Sequence, residues 1–308
     1  MRVTHRMIAQ SVNRNLRRNL YELEKKSNQL STGRYFNRPS QDPVGTYKVM
    51  RISGTSLLRN EQFRRNIGEG ITWLTVTEDA LANGIDVVQR LRELAIYSSN
   101  GTMSPEDRET ISPEVEELLQ HLVALGNTEV SGLYIFGGHQ TQSPPYELKY
   151  DETTGDITGV IYHGDGGRRM VEISPEQMLA INITGKDVFG GSDDLDDPSL
   201  FKTVNDMYRA LLDNKSEELG GKILEELDGH LDRLLQYRAE IGAKVARLDA
   251  TEERLLDEHL HLRELRSKIE DIDLAEVYIE FTMQENAYHA ALSTGARIIF
   301  PSLIDFLR

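Results

Sequence analysis

Near the end of the chain, positions 224, 227, 231, 234, 238, 241, 245, 248, 252, 255, 259, 262, 266 and 269 follow one another in steps of three and four residues. They hold Leu, Leu, Leu, Leu, Arg, Ile, Val, Leu, Glu, Leu, His, Leu, Arg and Ile, so ten of the fourteen are aliphatic. A helix shows a 3.5-residue repeat of this length when another helix covers one narrow face of it. Ile241, Val245, Leu248, Leu255, Leu262 and Ile269 are expected on that seam. Burying each large aliphatic side chain contributes about 1.5–3 kcal/mol, whereas a lone helix is marginal in water. The stripe therefore requires a partner, and the N-terminal helices are the obvious candidates.

The other end also reads as helix. Leu16, Leu20, Leu23, Ser27 and Leu30 keep 4-3-4-3 spacing. Gly33 and the run Asn37-Arg38-Pro39-Ser40-Gln41-Asp42-Pro43 interrupt it, because proline disfavours helix at the residue before it. Asp42 followed by Pro43 predicts an N-cap and a first helical residue. A third helical pattern occupies Ile67, Ile71, Leu74, Glu78, Leu81, Ile85, Val88, Arg92 and Ala95, and Asn100-Gly101 ends it. Ser104-Pro105-Glu106-Asp107 predicts the next start, with Ser104 as cap. That helix carries Leu118, Leu119, Leu122 and Leu125 up to Gly126-Asn127.

From about Leu133 to Ile183 the composition shifts to Tyr, Ile, Val and Gly. Tyr134-Ile135-Phe136 and Val160-Ile161-Tyr162 predict strands. Asp151–Asp156 and Gly164-Asp165-Gly166-Gly167 predict hairpin turns. Helical pattern resumes after Asp197-Pro198-Ser199. The expected fold is mainly α: a long antiparallel coiled coil or helical bundle formed by the N- and C-terminal segments, with a small β-rich central insertion. Residues 1–65 with 255–308 would form a terminal helical assembly domain. Residues 66–132 with 199–254 would form a helical bundle, and 133–198 the insertion.

The 308 residues include no Cys, which excludes disulfides, thiolate chemistry and Cys-ligated zinc. No apolar run approaches the roughly 20 residues of a membrane span. The N-terminus has no apolar core of the kind a cleaved signal peptide needs. The net charge of −15 is uneven: residues 1–65 hold 14 Lys or Arg and 4 Asp or Glu, while 250–308 hold 6 and 12. A basic head and an acidic tail attract each other at close range, within the roughly 8–10 Å that salt leaves unscreened.

Residues with chemical potential reduce to ordinary roles. His259 and His261 are two apart and face different sides of a helix, so a polar seam residue is the better reading of His259. Asp193, Asp194, Asp196 and Asp197 lack the glycine and terminal Glu of a calcium loop and read as a solvated acidic loop. Gly164–Arg169 lacks the Lys-Ser/Thr of a phosphate loop. Arg14, Arg17, Arg18, Lys25 and Lys26 would suit a nucleic-acid arm, but Leu16, Leu20, Leu23 and Leu30 share the segment and favour helix packing. The residues call for no enzyme activity, no cofactor and no metal.

Four stretches carry a resemblance to the flagellin superfamily. The first is Leu30-Ser31-Thr32-Gly33, preceded by Gln29 and followed by Asn37, Pro39, Ser40, Asp42 and Pro43, with Gln41 where the family usually has an acid. The second runs from Arg90-Leu91-Arg92-Glu93-Leu94-Ala95 to Ser99-Asn100-Gly101-Thr102. The third is Gly132–Gly138 with Pro144-Pro145-Tyr146. The fourth is Arg238–Ala243 with Asp271-Ile272-Asp273-Leu274-Ala275. The start Met1-Arg2-Val3-Thr4 and the tail Ser302–Leu307 look more like the superfamily's hook–filament junction members than like filament flagellins. Gln89–Leu94 also resembles a flagellin segment read by an animal innate immune receptor, although an ordinary solvated helix face is the favoured reading.

The resemblance implies a structural subunit of the bacterial flagellum, joining hook to filament in a ring of protofilament-like subunits and transmitting torque. The implied partners are further copies of the chain, the first hook–filament junction protein, flagellin, and an export chaperone on the C-terminal helix. No nucleic acid and no membrane insertion are implied. The implied location is extracellular, reached by flagellar type III export without a cleaved signal. A short filament flagellin is the alternative within the superfamily, and a basic-armed nucleic-acid binder is the alternative from another class. Terminal seams with few partners in a monomer are expected to stay partly disordered until neighbours cover them. Leu248→Asp is then expected to block assembly while the β-rich middle still folds.

Overall fold

The computed structural model describes residues 5–150, 157–192, 194 and 197–299. Met1–Thr4, the Asp151–Asp156 turn, Asp193, Asp196 and the Ser302–Leu307 tail lie outside the described residues. Helices α1 (His5–Thr32), α2 (Pro43–Arg51), α3 (Leu58–Ser98) and α4 (Pro105–Gly126) come first. Strands β1 (Glu129–Val130), β2 (Leu133–Tyr134), β3 (Tyr146–Tyr150), β4 (Ile157–Tyr162), β5 (Met170–Ser174) and β6 (Gln177–Ala180) follow. Helices α5 (Gly185–Val188), α6 (Leu200–Leu212), α7 (Ser216–Glu218), α8 (Leu224–Glu270) and α9 (Leu274–Ile299) complete the order. The fold is mainly α with long helices, and the described strands form three separate antiparallel pairs, β1–β2, β3–β4 and β5–β6.

Capping residues set the helix starts. Asp42 Oδ1 accepts from the Gly45 N–H at 2.9 Å, with Pro43 at the first helical position. Ser104 Oγ accepts from Asp107 N at 3.2 Å and opens α4. Each cap satisfies a backbone donor that has no partner within its helix. The second and third helical patterns are continuous: α2 passes into α3 through a π-helical segment, Ile52–Leu57. No proline separates Arg51 from Leu58, and one widened turn absorbs the shift in register. A second π-helical segment, Leu219–Ile223, leads into α8.

The chain divides into two compact units, residues 1–59 with 257–308 and residues 60–256. In the larger unit, α3 and α8 lie antiparallel. Arg92 Nε meets Asp228 Oδ1 at 2.5 Å, Arg238 Nε meets Glu78 Oε1 at 3.3 Å, and Asn60 Nδ2 donates to Leu255 O at 2.9 Å. Two of the polar interruptions in the predicted seams, Glu78 and Arg238, thus face each other as an ion pair. Leu227, Leu234, Ile241, Leu248 and Leu255 are buried, and Leu224, Leu231 and Val245 are half-buried.

The central segment shares this core. Phe136, Tyr146, Phe189 and Phe201 pack ring against ring at 4.7–6.0 Å, and Tyr162 joins them at 4.9 Å from Tyr146. One apolar cluster runs from Leu74, Leu81 and Val88 through these rings to Val204 and Met207. Gly70 marks a close approach: a Cβ there would lie 3.1 Å from Ile181 Cγ2 and 3.3 Å from Leu248 Cδ1. Leu248 therefore packs where α3 meets residues 133–198 as well as its own helix, so Leu248→Asp is expected to reach the middle too. The predicted strand at Tyr134–Phe136 is shorter, since β2 stops at Tyr134 while Ile135 and Phe136 turn into the core. Gly164–Gly167 links two hairpins and closes neither.

Candidate assembly interface

The smaller unit is built on α1 and α9, which run antiparallel. Gln284 Nε2 donates to Asn19 O at 3.3 Å, Lys26 pairs with Glu280, and Gly295 lies against Val12 and Leu16. Leu16, Leu23 and Leu30 are half-buried, but Leu20 is 48% exposed and Ser27 is exposed. Asn19 and Lys26 are half-buried in their place; the Lys26 side chain pairs with Glu280 on α9, and Gln284 reaches the Asn19 main-chain carbonyl. On α8, His259 is buried, Leu262, Arg266 and Ile269 are half-buried, and His261 is exposed.

The first motif stretch and the Asp271–Ala275 part of the fourth meet in this unit. Gly33 ends α1 at φ +71°, a left-handed conformation that costs glycine least, and its N–H donates to Gln29 O at 2.8 Å. Gly33 O then accepts from Ile272 N at 3.1 Å, and Tyr35 N donates to Glu270 O at 2.7 Å. Arg34 Nη1 pairs with Glu270 Oε1 at 2.8 Å. Thr32 Oγ1 accepts from Asn37 Nδ2 at 3.1 Å, and Gln41 Oε1 accepts from Asn37 N at 2.8 Å and Arg38 N at 3.3 Å. A single amide oxygen thus serves both N–H donors. Asp273 Oδ1 caps α9 through Ala275 N at 2.9 Å. The box is a clasp: it fixes the α1–α2 loop against the α8–α9 turn.

Beyond the clasp, large apolar side chains face outward. Val44, Tyr47 and Met50 on α2 are 62–65% exposed, and Tyr278, Ile279 and Met283 on α9 are 59–63% exposed. Tyr21, Leu260, Leu265 and Leu274 are exposed as well. Among the described residues of this unit, the buried apolar side chains are Phe36, Ile52, Leu57 and Val277. Apolar surface in this density marks an interaction face. Val44, Tyr47 and Met50 escape a search for heptads because they repeat every three residues over two turns. Their one sequence signal is that no polar residue breaks the spacing.

The segments weighed above for catalysis or ligands have structural partners. Asp165 Oδ1 accepts from His139 N at 2.7 Å and Gly167 N at 2.9 Å. An acid fills the cradle where a phosphate would sit, and those two N–H groups hold its carboxyl below the usual range. Arg90 pairs with Glu114 at 2.8 Å and Glu93 at 3.0 Å, while Leu91 and Leu94 are buried. Among the described residues, no group of three His, Asp or Glu is placed to hold a metal ion. No described helix is long and apolar enough to cross a membrane.

The chain thus has one unit with a clasped pair of terminal helices and bare outer faces, and a second unit of helices and hairpins. Residues 3–141 match the bacterial flagellin N-terminal helical region. Over nearly its full length the chain is similar to flagellar hook-associated protein 3 of Escherichia coli (strain K12), at 25% identity over 301 residues, covering 94% of this chain and 95% of that protein. Flagellin FlaB1 of Treponema pallidum (strain Nichols) is 24% identical over 317 residues, covering 100% of each. The crystal structure of flagellar hook associated protein-3 from Legionella pneumophila shares the fold, with a TM-score of 0.62 at 18% identity, covering 70% of this chain and 97% of that one.

Proposed function

We infer that this chain is a structural subunit of the bacterial flagellum and sits at the hook–filament junction. The observation that carries this reading is the pair of uncovered apolar faces on α2 and α9, held in place by the clasp between residues 33–35 and 270–272. Such faces cost little while copies of the chain cover one another, and they are a liability otherwise. Similarity to flagellar hook-associated protein 3 over nearly the whole chain supports the junction as the location. In this reading the subunits form a ring, contact the first junction protein on one side and flagellin on the other, and pass torque between them. A chaperone covers α9 before export.

Deleting the gene in a motile host tests the assignment. Hooks without filaments, with flagellin released into the medium, are the expected outcome; normal filaments would refute it. Full-length similarity to a flagellin favours a second reading, a short filament subunit. Growth of the purified chain into long filaments without any junction protein would select that reading instead.

A further inference from the structure

The sequence contains two Asn-Gly dipeptides, Asn83-Gly84 and Asn100-Gly101. Asparagine before glycine is unusually open to attack by the next main-chain nitrogen on its side-chain amide, because glycine has no Cβ to crowd the five-membered ring. The fold treats the two dipeptides differently. Asn83-Gly84 lies inside α3, where the Gly84 N–H belongs to the hydrogen bonding of the helix itself. Gly84 is also buried, and a Cβ there would lie 3.8 Å from Phe189 Cε1. Asn100-Gly101 lies in the turn between α3 and α4, and both residues are exposed. A Cβ on Gly101 would meet no atom within 4 Å, and its N–H has no hydrogen-bond partner among the described residues.

Thr102 supplies an independent observation. Asn100 Oδ1 accepts from the Thr102 N–H at 3.3 Å and from the Thr102 hydroxyl at 3.1 Å. Two donors on one amide oxygen draw electrons from Cγ, and they stabilise the negative charge that the oxygen takes up when a nitrogen adds. An Asn side chain bonded to the main chain two residues on also folds its Cγ back toward the intervening nitrogen, here that of Gly101. The main-chain carbonyl of Asn100 is held separately. It accepts from Arg108 Nη2 at 2.9 Å and from Met103 N at 3.1 Å.

We propose that Asn100, activated by Thr102, is a site of spontaneous deamidation in the folded chain, and that its helix protects Asn83. The Gly101 nitrogen gives its proton to solvent and bonds to Asn100 Cγ. The Cγ–Nδ2 bond breaks, and the amide nitrogen takes up a proton and leaves as ammonia, which closes a succinimide. Solvent water then opens the ring, and nothing is oxidised or reduced. Addition at Cγ gives aspartate. Addition at the Asn100 main-chain carbonyl gives isoaspartate, with the chain rerouted through Cβ and Cγ, and turns the carbonyl that Arg108 holds into a carboxylate. Either product adds a negative charge to the turn. The reaction needs no second copy of the chain, so it stands apart from the assembly reading.

Peptide mapping by mass spectrometry, on the full chain aged in mildly alkaline buffer, tests it. Conversion of Asn100 with Asn83 intact is expected, whereas in urea both sites should convert at similar rates. Mildly acidic buffer should slow the reaction at Asn100, because the Gly101 nitrogen then gives up its proton less readily. Thr102→Val keeps the shape of an exposed side chain and removes one donor, so it should slow conversion at least about two-fold while the melting point stays that of the parent. An Asn100 that stays intact in the folded chain, over a time in which the urea-unfolded chain converts, would overturn the site. Equal conversion of Asn83 and Asn100 in the folded chain would do the same, and an unchanged rate in Thr102→Val would refute the activation.

Discussion

Arg108 is 4% exposed and directs its guanidinium at neutral oxygens. Nε donates to Ser98 O at 2.8 Å, Nη2 to Asn100 O at 2.9 Å, and Nη1 to the Asn214 side chain. One side chain thereby joins the end of α3, the start of α4 and the turn after α6, where Asn214 holds φ +57°. Arg108→Leu strands those acceptors in a buried site, and a loss of roughly 2–4 kcal/mol is expected from urea unfolding. Arg108→Lys keeps the charge but not the planar fork, so it should recover less than half of the loss. His230 adds a pH dependence. Its folded pKa is lowered to about 4 from 6.5, so between those values the unfolded chain binds more protons than the folded one. Stability from this residue is complete above the unfolded value and falls as pH drops toward the folded one. Moving from about pH 7 to about pH 5, in a buffer without phosphate or carboxylate, should remove about 2 kcal/mol that His230→Gln does not lose. Arg108 and His230 are hard to find in a sequence because their roles come from oxygens and helices remote along the chain. His230 leaves one trace, a polar residue on the buried face between Leu227 and Leu234.

At the scale of elements, periodicity made α8 legible: thirteen of its fourteen predicted seam positions are buried or half-buried, and the exposed one, Arg238, is paired across to Glu78. A strict repeat states which face is covered whatever the partner is. The partner itself was less legible, since α3 covers the first part of α8 while α1 turns to α9. On α1 the register misled at Leu20 and Ser27, because Lys26 becomes an inner residue only when Glu280 stands opposite. The hairpins were visible as strand-rich sequence, but their pairing depends on an aromatic cluster drawn from Phe136, Tyr146, Tyr162, Phe189 and Phe201, which no local pattern announces. The seam meets the central segment at Leu248, which lies with Ile181 against Gly70 and whose side chain is 0% exposed. Leu248→Asp places an unpaired carboxylate there, at a cost of about 3–5 kcal/mol or more. Loss of cooperative unfolding across residues 60–256, followed by near-ultraviolet circular dichroism, is the expected result. A variant that retains the native aromatic signal would mean that the core tolerates the charge.

The whole molecule combines two units of unequal self-sufficiency. The core cluster runs without a break from Phe63 to Leu255, inside the larger unit. The smaller unit buries few apolar side chains and leaves Val44, Tyr47, Met50, Tyr278, Ile279 and Met283 in solvent. Regions with few buried contacts open at low free energy, and proteases report such opening. Limited proteolysis of the monomer should therefore trim both ends and leave a resistant product bounded near Asn60 and Leu256. Covering the outer faces raises the cost of opening, so the same digestion of assembled material should spare the ends. Ile279→Asp/Met283→Asp separates the two effects, since both residues are already exposed in the monomer. That variant should give the same resistant product and the same melting transition for the larger unit, yet remain monomeric in sedimentation. Assembly at the parental concentration would place the subunit contacts elsewhere than on α9.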